Sequence, residues 1–119
     1  LRAMVANEED VTKVVTTRVT NMGQIFYDNE SFNQNISSWD VSNVTSMFNM
    51  FTGISPNFLT VFNQNISYWD VSNVTNMNGM FINSEAFNQP IGDWDVSNVT
   101  NMLMMFGGAV SFNQPIGGW

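Results

Sequence analysis

Three aspartates recur in one sequence context and are the residues best suited to chemistry in this chain. Asp40, Asp70 and Asp95 each stand in the heptapeptide Trp-Asp-Val-Ser-Asn-Val-Thr, and Asp93 lies two residues before the last of them. Paired carboxylates can hydrolyse glycosides, and a row of carboxylates can bind cations or contact a basic partner. The alternative is structural, because an aspartate before Ser-Asn accepts hydrogen bonds from the following amides in an Asx turn. We favour this structural role for the row, and we place the glycosidase hypothesis last because nothing in the sequence shapes a pocket around Asp93 and Asp95.

The rest of the composition argues against an enzyme. The 119 residues contain neither histidine nor cysteine, which removes the commonest general base, the commonest zinc ligand and any thiolate nucleophile. We therefore expect no catalytic residue, no cofactor and no metal site. The three basic residues all lie near the start, and the net charge is -7. Because nucleic acids and anionic lipids attract basic surfaces, we expect neither as a partner, and no apolar run is long enough for direct membrane insertion.

A 25-residue repeat organises the chain. Phe-Asn-Gln begins at four positions with steps of 30, 25 and 25 residues: Phe32, Phe62, Phe87 and Phe112. Val-Thr recurs with steps of 25, 30 and 25 residues, which places a five-residue insertion between Phe51 and Phe62. A period of this size is typical of repeat architectures. The first copy lacks Trp-Asp-Val, so we expect residues 1–17 to form an N-terminal cap and residues 18–119 to form about four repeats.

Each unit is predicted to contain a short strand and a short helix. Residues 36–41 match the leucine-rich-repeat strand pattern, with Trp39 pointing inward. Ser-Asn is a helix-entry signal, and Met47, Met50 and Phe51 then follow at helical spacing. Strands pack more closely than helices, so the stack should curve. We therefore predict an α/β repeat fold, a curved right-handed leucine-rich-repeat-like solenoid with strands on the concave side and helices on the convex side.

Two rows of repeated side chains have both a structural and a binding interpretation. The tryptophans could stack on sugars, but their place in the strand pattern favours the core. The Asn-Gln pairs could bind glycans or ice, but we favour ladders in which each amide bonds the next copy. The residues concerned are Trp39, Trp69, Trp94 and Trp119, and the pairs that begin at Asn33, Asn63, Asn88 and Asn113.

From about Val19 to Trp119 the chain resembles the repeats of BspA-type bacterial surface proteins. The resemblance rests on Phe-Asn-Gln, on Met-Phe and on the heptapeptide, which recurs unchanged at Trp39, Trp69 and Trp94. It implies a leucine-rich-repeat fold and an exported, surface-anchored protein. It also implies an adhesin-like role, so the expected location is extracellular or at the cell surface.

The position before each tryptophan differs among the copies and is a candidate partner contact. It is occupied by Ser38, Tyr68 and Asp93, which should lie on the concave surface beside the aspartates. Tyrosine offers a large contact area at a low entropic cost. Tyr68 is therefore the best single candidate, although an idle surface residue is as consistent with the sequence.

Further apolar residues are candidate assembly contacts. The insertion carries Ile54, Phe58 and Leu59, which either fold back or dock a partner, and the last copy carries surplus Leu103 and Met104. The final residue, Trp119, stands in mid-repeat. We therefore expect a non-enzymatic extracellular surface interaction module that contacts a protein or glycan. The alternative is a structural protein that stacks head-to-tail on further copies of itself into a filament.

Overall fold

The backbone is built from hydrogen-bonded turns that recur in every unit. A computed structural model describes residues 1–54, 57 and 59–119. Within them the sole helix is α1, Arg2–Ala6, and no extended strand is present. Isolated parallel bridges join Asn21 to Ser46, Ser46 to Asn76, and Asn76 to Asn101. The predicted α/β solenoid, with concave strands and convex helices, is therefore wrong.

The predicted strand is instead a pair of tight turns. The amide of Trp39 donates to the carbonyl of Ile36 at 3.1 Å, and the amide of Val44 donates to that of Val41 at 2.9 Å. The same two turns recur in the units that contain Trp69 and Trp94. Because these amides bond within their own unit, they cannot form a sheet ladder with the next one. The inward position of tryptophan and valine was predicted correctly, but on turns.

The predicted helix is also absent, because its amides bond to the next unit. Met47, Asn49 and Phe51 donate to Asn76, Asn78 and Met80 at 2.9 Å, where an α-helix would use the carbonyl four residues back. Asn49 has a φ of 50°, a left-handed conformation that interrupts a right-handed helix. The side chains at helical spacing are nevertheless buried, because the turns direct the same residues inward.

We call residues 21–28, 46–53, 76–83 and 101–108 the ladder segments. In the first, Met22, Gln24, Phe26 and Asp28 donate to carbonyls of the second at 2.7–3.1 Å. The second and third segments donate to the following segment in the same manner. All these amides point toward the carboxyl-terminal unit, and the paired carbonyls point back. The ladder therefore has a direction.

Two columns of phenyl rings lie beneath the ladder segments. Consecutive rings of one column are 5.2–5.7 Å apart, and those of the other are 6.0–6.1 Å apart. The columns consist of Phe26, Phe51, Phe81 and Phe106, and of Phe32, Phe62, Phe87 and Phe112. Stacked aromatic pairs contribute about 0.5–1.5 kcal/mol each beyond their burial. The columns therefore hold the units at the spacing that the backbone bonds require.

The amino-terminal residues adopt the turns of the later units despite their different sequence. Val14 donates to Val11 and Val19 donates to Thr16, as the tryptophan and valine amides do in later units. Ahead of these turns, Val5 of α1 is buried in the core. The boundary of a cap at residue 17 stays a prediction.

The insertion is joined to the core through threonines. The hydroxyl of Thr52 donates to the Gly79 carbonyl at 2.5 Å, and that of Thr60 donates to the Phe51 carbonyl at 3.4 Å. Ile54 is half exposed and Leu59 is partly buried, whereas Phe58 lies outside the described residues.

The part of the chain that the structure describes contains no helix suited to crossing a bilayer.

Gly79 offers a test of the ladder geometry. Its φ is 64°, and a Cβ there would collide with Asn49 Oδ1 and lie 2.9 Å from Ile82 Cδ1. Gly79→Ala should therefore lower the free energy of unfolding by at least about 1–2 kcal/mol, measured by urea denaturation. Gly117→Ala is the matched control, because no atom lies within 4 Å of its added Cβ. Equal losses from the two substitutions would contradict this geometry.

Candidate functional site

The aspartate row, Asp40, Asp70 and Asp95, lies exposed between the two turns of successive units. Each Oδ1 accepts the backbone amide two residues later at 3.0–3.1 Å. The hydroxyls of Ser42 and Ser72 also donate to the preceding aspartates at 2.6 Å. The Asx-turn hydrogen bonds expected from the sequence are thus confirmed, and in each turn the acceptor is a single carboxylate oxygen.

Hydrogen bonding also favours the ionised form of two of these carboxyls. The Ser42 hydroxyl, and then its amide, hold the pKa of Asp40 below the ordinary aspartate value. Ser97 lowers the pKa of Asp95 through the same two groups. Asp40 and Asp95 therefore stay ionised to a lower pH than an ordinary aspartate does. Among the described residues, no group of three or more acidic side chains is placed to hold a metal ion.

The candidate contacts Ser38, Tyr68 and Asp93 occupy the third position of the first turn in successive units. All three are exposed, and Tyr68 is 92% exposed. Ser38 donates to the Thr12 carbonyl at 3.3 Å. Asp93 borders an open depression of about 480 Å³ whose other lining residues are Pro90, Gly92, Pro115, Gly117 and Gly118. These positions form one lateral surface beside the aspartate row, on turns and not on a concave sheet.

The two repeated rows that could have bound a ligand are structural. The indole Nε1 groups of Trp39, Trp69 and Trp94 donate to carbonyls of the preceding unit at 2.9–3.2 Å, and each ring is 4% exposed. Asn33 Oδ1 accepts the amide of Asn63, and the Gln64 side chain bonds both Asn33 oxygens at 3.0 Å. The same pattern recurs in the next two units. The predicted core position is confirmed for Trp39, Trp69 and Trp94, whereas Trp119 is only partly buried, and the predicted amide ladder is confirmed.

The last unit differs from the others in its exposed apolar side chains. Leu103 is 65% exposed, Met104 is 62% exposed and Val110 is 75% exposed. Trp119 stacks on Trp94 at 6.5 Å, but its buried Nε1 has no hydrogen-bond partner among the described residues. The predicted surplus of apolar groups is therefore present on the surface.

The structure adds two edges that the sequence analysis missed. At the last unit the ladder amides of Met102, Met104, Phe106 and Gly108 have no acceptor among the described residues; we call them the amide edge. At the first unit no described residue donates to the ladder carbonyls of Asn21, Gly23, Ile25 and Tyr27; we call them the carbonyl edge. The glycines at positions 79 and 108 were the available signal, because glycine inside a helical pattern often marks a left-handed residue.

A second region missed from the sequence lies beside α1. A cavity of about 220 Å³ is lined by Val5, Glu8 and Glu9, together with Asn29, Phe32 and their neighbours. The Ser31 hydroxyl donates to Glu8 Oε1 at 3.4 Å across it. Glu8 and Glu9 occupy the positions that Asn and Gln occupy in later units. This replacement in the sequence did not indicate a cavity.

Comparison with known proteins gives one match. The family model described as "Mycoplasma protein of unknown function, DUF285" matches residues 1–119. No curated protein and no solved structure matches the chain.

The pKa of Asp40 tests the role of its serine. Ser42→Ala should raise that pKa toward the ordinary value of about 3.9, as followed by NMR titration of the carboxyl carbon. Since the folded-state pKa is lowered, the associated stability is present above the unfolded-state pKa and is lost as the pH falls through the folded-state pKa. The variant should lose less stability on acidification below about pH 4.

Ser37→Ala provides the control for that titration. The Ser37 amide donates to the side chain of Asn35, which does not titrate. An Asp40 pKa that is equal in the Ser42→Ala variant and in the wild type would contradict the assigned cause.

Proposed function

For this chain, which belongs to the DUF285 family, we propose a function from the chemistry of its own surface. The protein is a non-enzymatic interaction module that acts outside the cell and contacts a protein or glycan. The observation that carries this proposal is the 92% exposure of Tyr68 on a unit whose neighbouring residues are fixed. Trp69 is buried below it, and Asp70 is hydrogen-bonded beside it. A scaffold of recurring residues thus presents an exposed position that varies from unit to unit.

The chemistry of the lateral surface supports contact with hydroxyl-rich or basic groups. The ring of Tyr68 offers a flat apolar face, and carboxylates such as Asp70 and Asp93 accept hydrogen bonds from sugar hydroxyls or from lysine and arginine side chains. The tight turns beneath fix the backbone that carries these groups. Less backbone entropy is therefore lost when a partner binds.

Location and class are proposed from the resemblance to BspA-type surface proteins. That resemblance rests on Phe-Asn-Gln and on the unchanged heptapeptide, and it supports an exported, adhesin-like protein. The leucine-rich-repeat fold is not carried over. The composition supports the same class, because an acidic chain without histidine or cysteine offers few groups for catalysis.

A second candidate function is self-assembly, and one observation favours it. The side chains of Leu103 and Met104 are 65% and 62% exposed, and an apolar patch of this kind supports contact with another copy. A head-to-tail contact that does not close produces a filament.

The interaction proposal is tested by binding to arrays of immobilised glycans and of basic and acidic proteins. We expect saturable binding to at least one surface, and Tyr68→Ala should weaken it about tenfold or more. Tyr27→Ala is the matched control, because Tyr27 is 41% exposed on the first ladder segment, away from the lateral surface. Equal loss in both variants, or turnover of any bound glycan, would contradict the proposal.

Self-assembly is tested by sedimentation of the 119-residue chain over a wide concentration range. A filament-forming protein should show a sedimentation coefficient that rises with concentration, and negative-stain images should show fibres. A single monomeric species at the highest concentration would eliminate this candidate and leave the interaction module unaffected.

A further inference from the structure

The lateral surface has a fourth member, Lys13, in the first unit. The Val14 amide donates to the Val11 carbonyl at 3.3 Å, which closes a first turn around Lys13. Ser38 holds the same position in the next unit, and the two turns lie in register because Trp39 Nε1 donates to the Val11 carbonyl at 2.9 Å. Along the stack, the exposed side chains are therefore an ammonium, a hydroxyl, a phenol and a carboxylate: Lys13, Ser38, Tyr68 and Asp93.

The charge beside these positions changes sign along the stack. We call the stretches that carry the two tight turns of each unit the turn segments: residues 11–20, 36–45, 66–75 and 91–100. The first contains two basic residues and no acidic one, Lys13 and Arg18. The last contains two acidic residues and no basic one, Asp93 and Asp95, and the two middle segments contain one aspartate each. All of these side chains are exposed, so the lateral surface has a positive end and a negative end.

The positive end keeps a net charge despite the aspartate that precedes it. The Thr12 amide and hydroxyl donate to Asp10 Oδ1 at 2.9 and 2.7 Å. These hydrogen bonds are the main causes that lower the pKa of Asp10, and the positive charge of Lys13 is a smaller one. Asp10 therefore offsets part of the charge of Lys13. Because Arg18 adds a second positive charge on this side of the unit, the sum over the three residues stays positive.

The distance between the two ends matches a short extended peptide. Lys13 and Asp93 are three units apart, and equivalent phenyl rings in adjoining units are 5.2–6.1 Å apart. An extended chain advances about 3.2–3.4 Å per residue, so it covers three such steps in about five residues. Exposed apolar groups lie along the way, since Tyr68 is 92% exposed and Val15, beside Lys13, is 83% exposed. A linear partner can thus touch both charged ends and the ring between them.

Charge complementarity distinguishes the possible occupants. A neutral glycan carries no charge for either end, and a purely basic segment would meet Lys13 and Arg18 with like charge. A second copy with its lateral surface placed antiparallel would bring Asp40 of one copy against Asp70 of the other, and like charges in contact oppose association. An extended segment that carries one charge of each sign avoids all three conflicts.

We propose that the lateral surface binds an extended peptide segment of another protein, with an acidic residue and a basic residue about five positions apart. This inference rests on the proposed function and names its class of partner. The acidic side chain pairs with Lys13 and Arg18. The basic side chain pairs with Asp93 and Asp95, and a proline or aliphatic residue between the charges packs on the Tyr68 ring. The two pairings also fix the direction in which the segment lies.

The test is a titration of the whole protein into the fluorescent peptide Glu-Glu-Ser-Pro-Pro-Ser-Arg-Arg, followed by anisotropy. We expect saturable binding that weakens as the salt concentration rises, because the contacts are between exposed charges. The isomer Glu-Arg-Ser-Pro-Pro-Ser-Glu-Arg has the same composition without separated charges and should bind about tenfold more weakly or less. No binding of the first peptide, or equal binding of the two, would overturn the proposal.

A charge reversal at the positive end assigns the contact. Lys13→Glu should weaken binding of the first peptide about tenfold. Arg2→Glu is the matched control, because it makes the same charge change at an exposed position of α1, outside the turn segments. The peptide has no net charge, so Arg2→Glu should leave the affinity within about twofold of the wild type. Equal losses in the two variants would overturn the proposal.

The negative end provides a second pair of variants if Lys13→Glu does not fold. Asp93→Lys should weaken binding of the same peptide about tenfold, and Glu30→Lys, exposed and outside the turn segments, should not. Equal affinities of the Asp93→Lys variant and the wild type would overturn the proposal.

Failure of this inference is distinguishable from failure of the proposed function. Array binding that is lost in Tyr68→Ala but unchanged in Lys13→Glu and Asp93→Lys would overturn the two-charge peptide and leave the interaction module standing. Saturable binding of the first peptide that both charge reversals weaken would support the proposal.

Discussion

The inter-unit ladder is the constraint on which the rest of the structure depends. Alternate amides of one ladder segment must meet alternate carbonyls of the next at 2.7–3.1 Å. That spacing brings equivalent phenyl rings to 5.2–6.1 Å, so the aromatic columns and the backbone bonds satisfy the same repeat distance. A substitution that disturbs the backbone ladder would also disturb the phenyl columns, and the reverse holds as well. This coupling accounts for the near identity of the buried positions among the copies.

Burial could be predicted from the sequence, whereas backbone conformation could not. Met47, Met50 and Phe51 are buried as their spacing indicated, yet they lie on turns. Spacing of three and four residues identifies a shared face, but successive turns produce the same face as a helix does. The deciding residue was Asn49, whose left-handed φ sends its amide to the next unit. Asparagine tolerates that conformation without requiring it, so the sequence left the choice open.

The candidate surfaces also differ in how far the sequence predicted them: side-chain features were predictable, and backbone features were not. The exposure of Tyr68 and the Asx turns of the aspartate row followed from side chains that recur at fixed offsets. The amide edge consists of backbone N–H groups, which every residue except proline carries, so its one sequence signal is the glycine at positions 79 and 108. Only the hydrogen-bond partners of the preceding units show that these four amides belong to a junction.

The insertion after Phe51 shows where this architecture tolerates a change of length. The Gly53 amide still donates to the Ile82 carbonyl at 2.9 Å, so the ladder continues to the point where the five extra residues begin. The rings of Phe51 and Phe62 then stack at 4.1 Å, as closely as the rings of Phe81 and Phe87 in the uninterrupted unit. The corner between the two phenyl columns, meaning the connection from Phe51 to Phe62, therefore accepts inserted residues without a change in ring stacking. Sequence variation in length can accumulate there while adjoining units keep their register, which makes this corner a natural site for diversification within the fold.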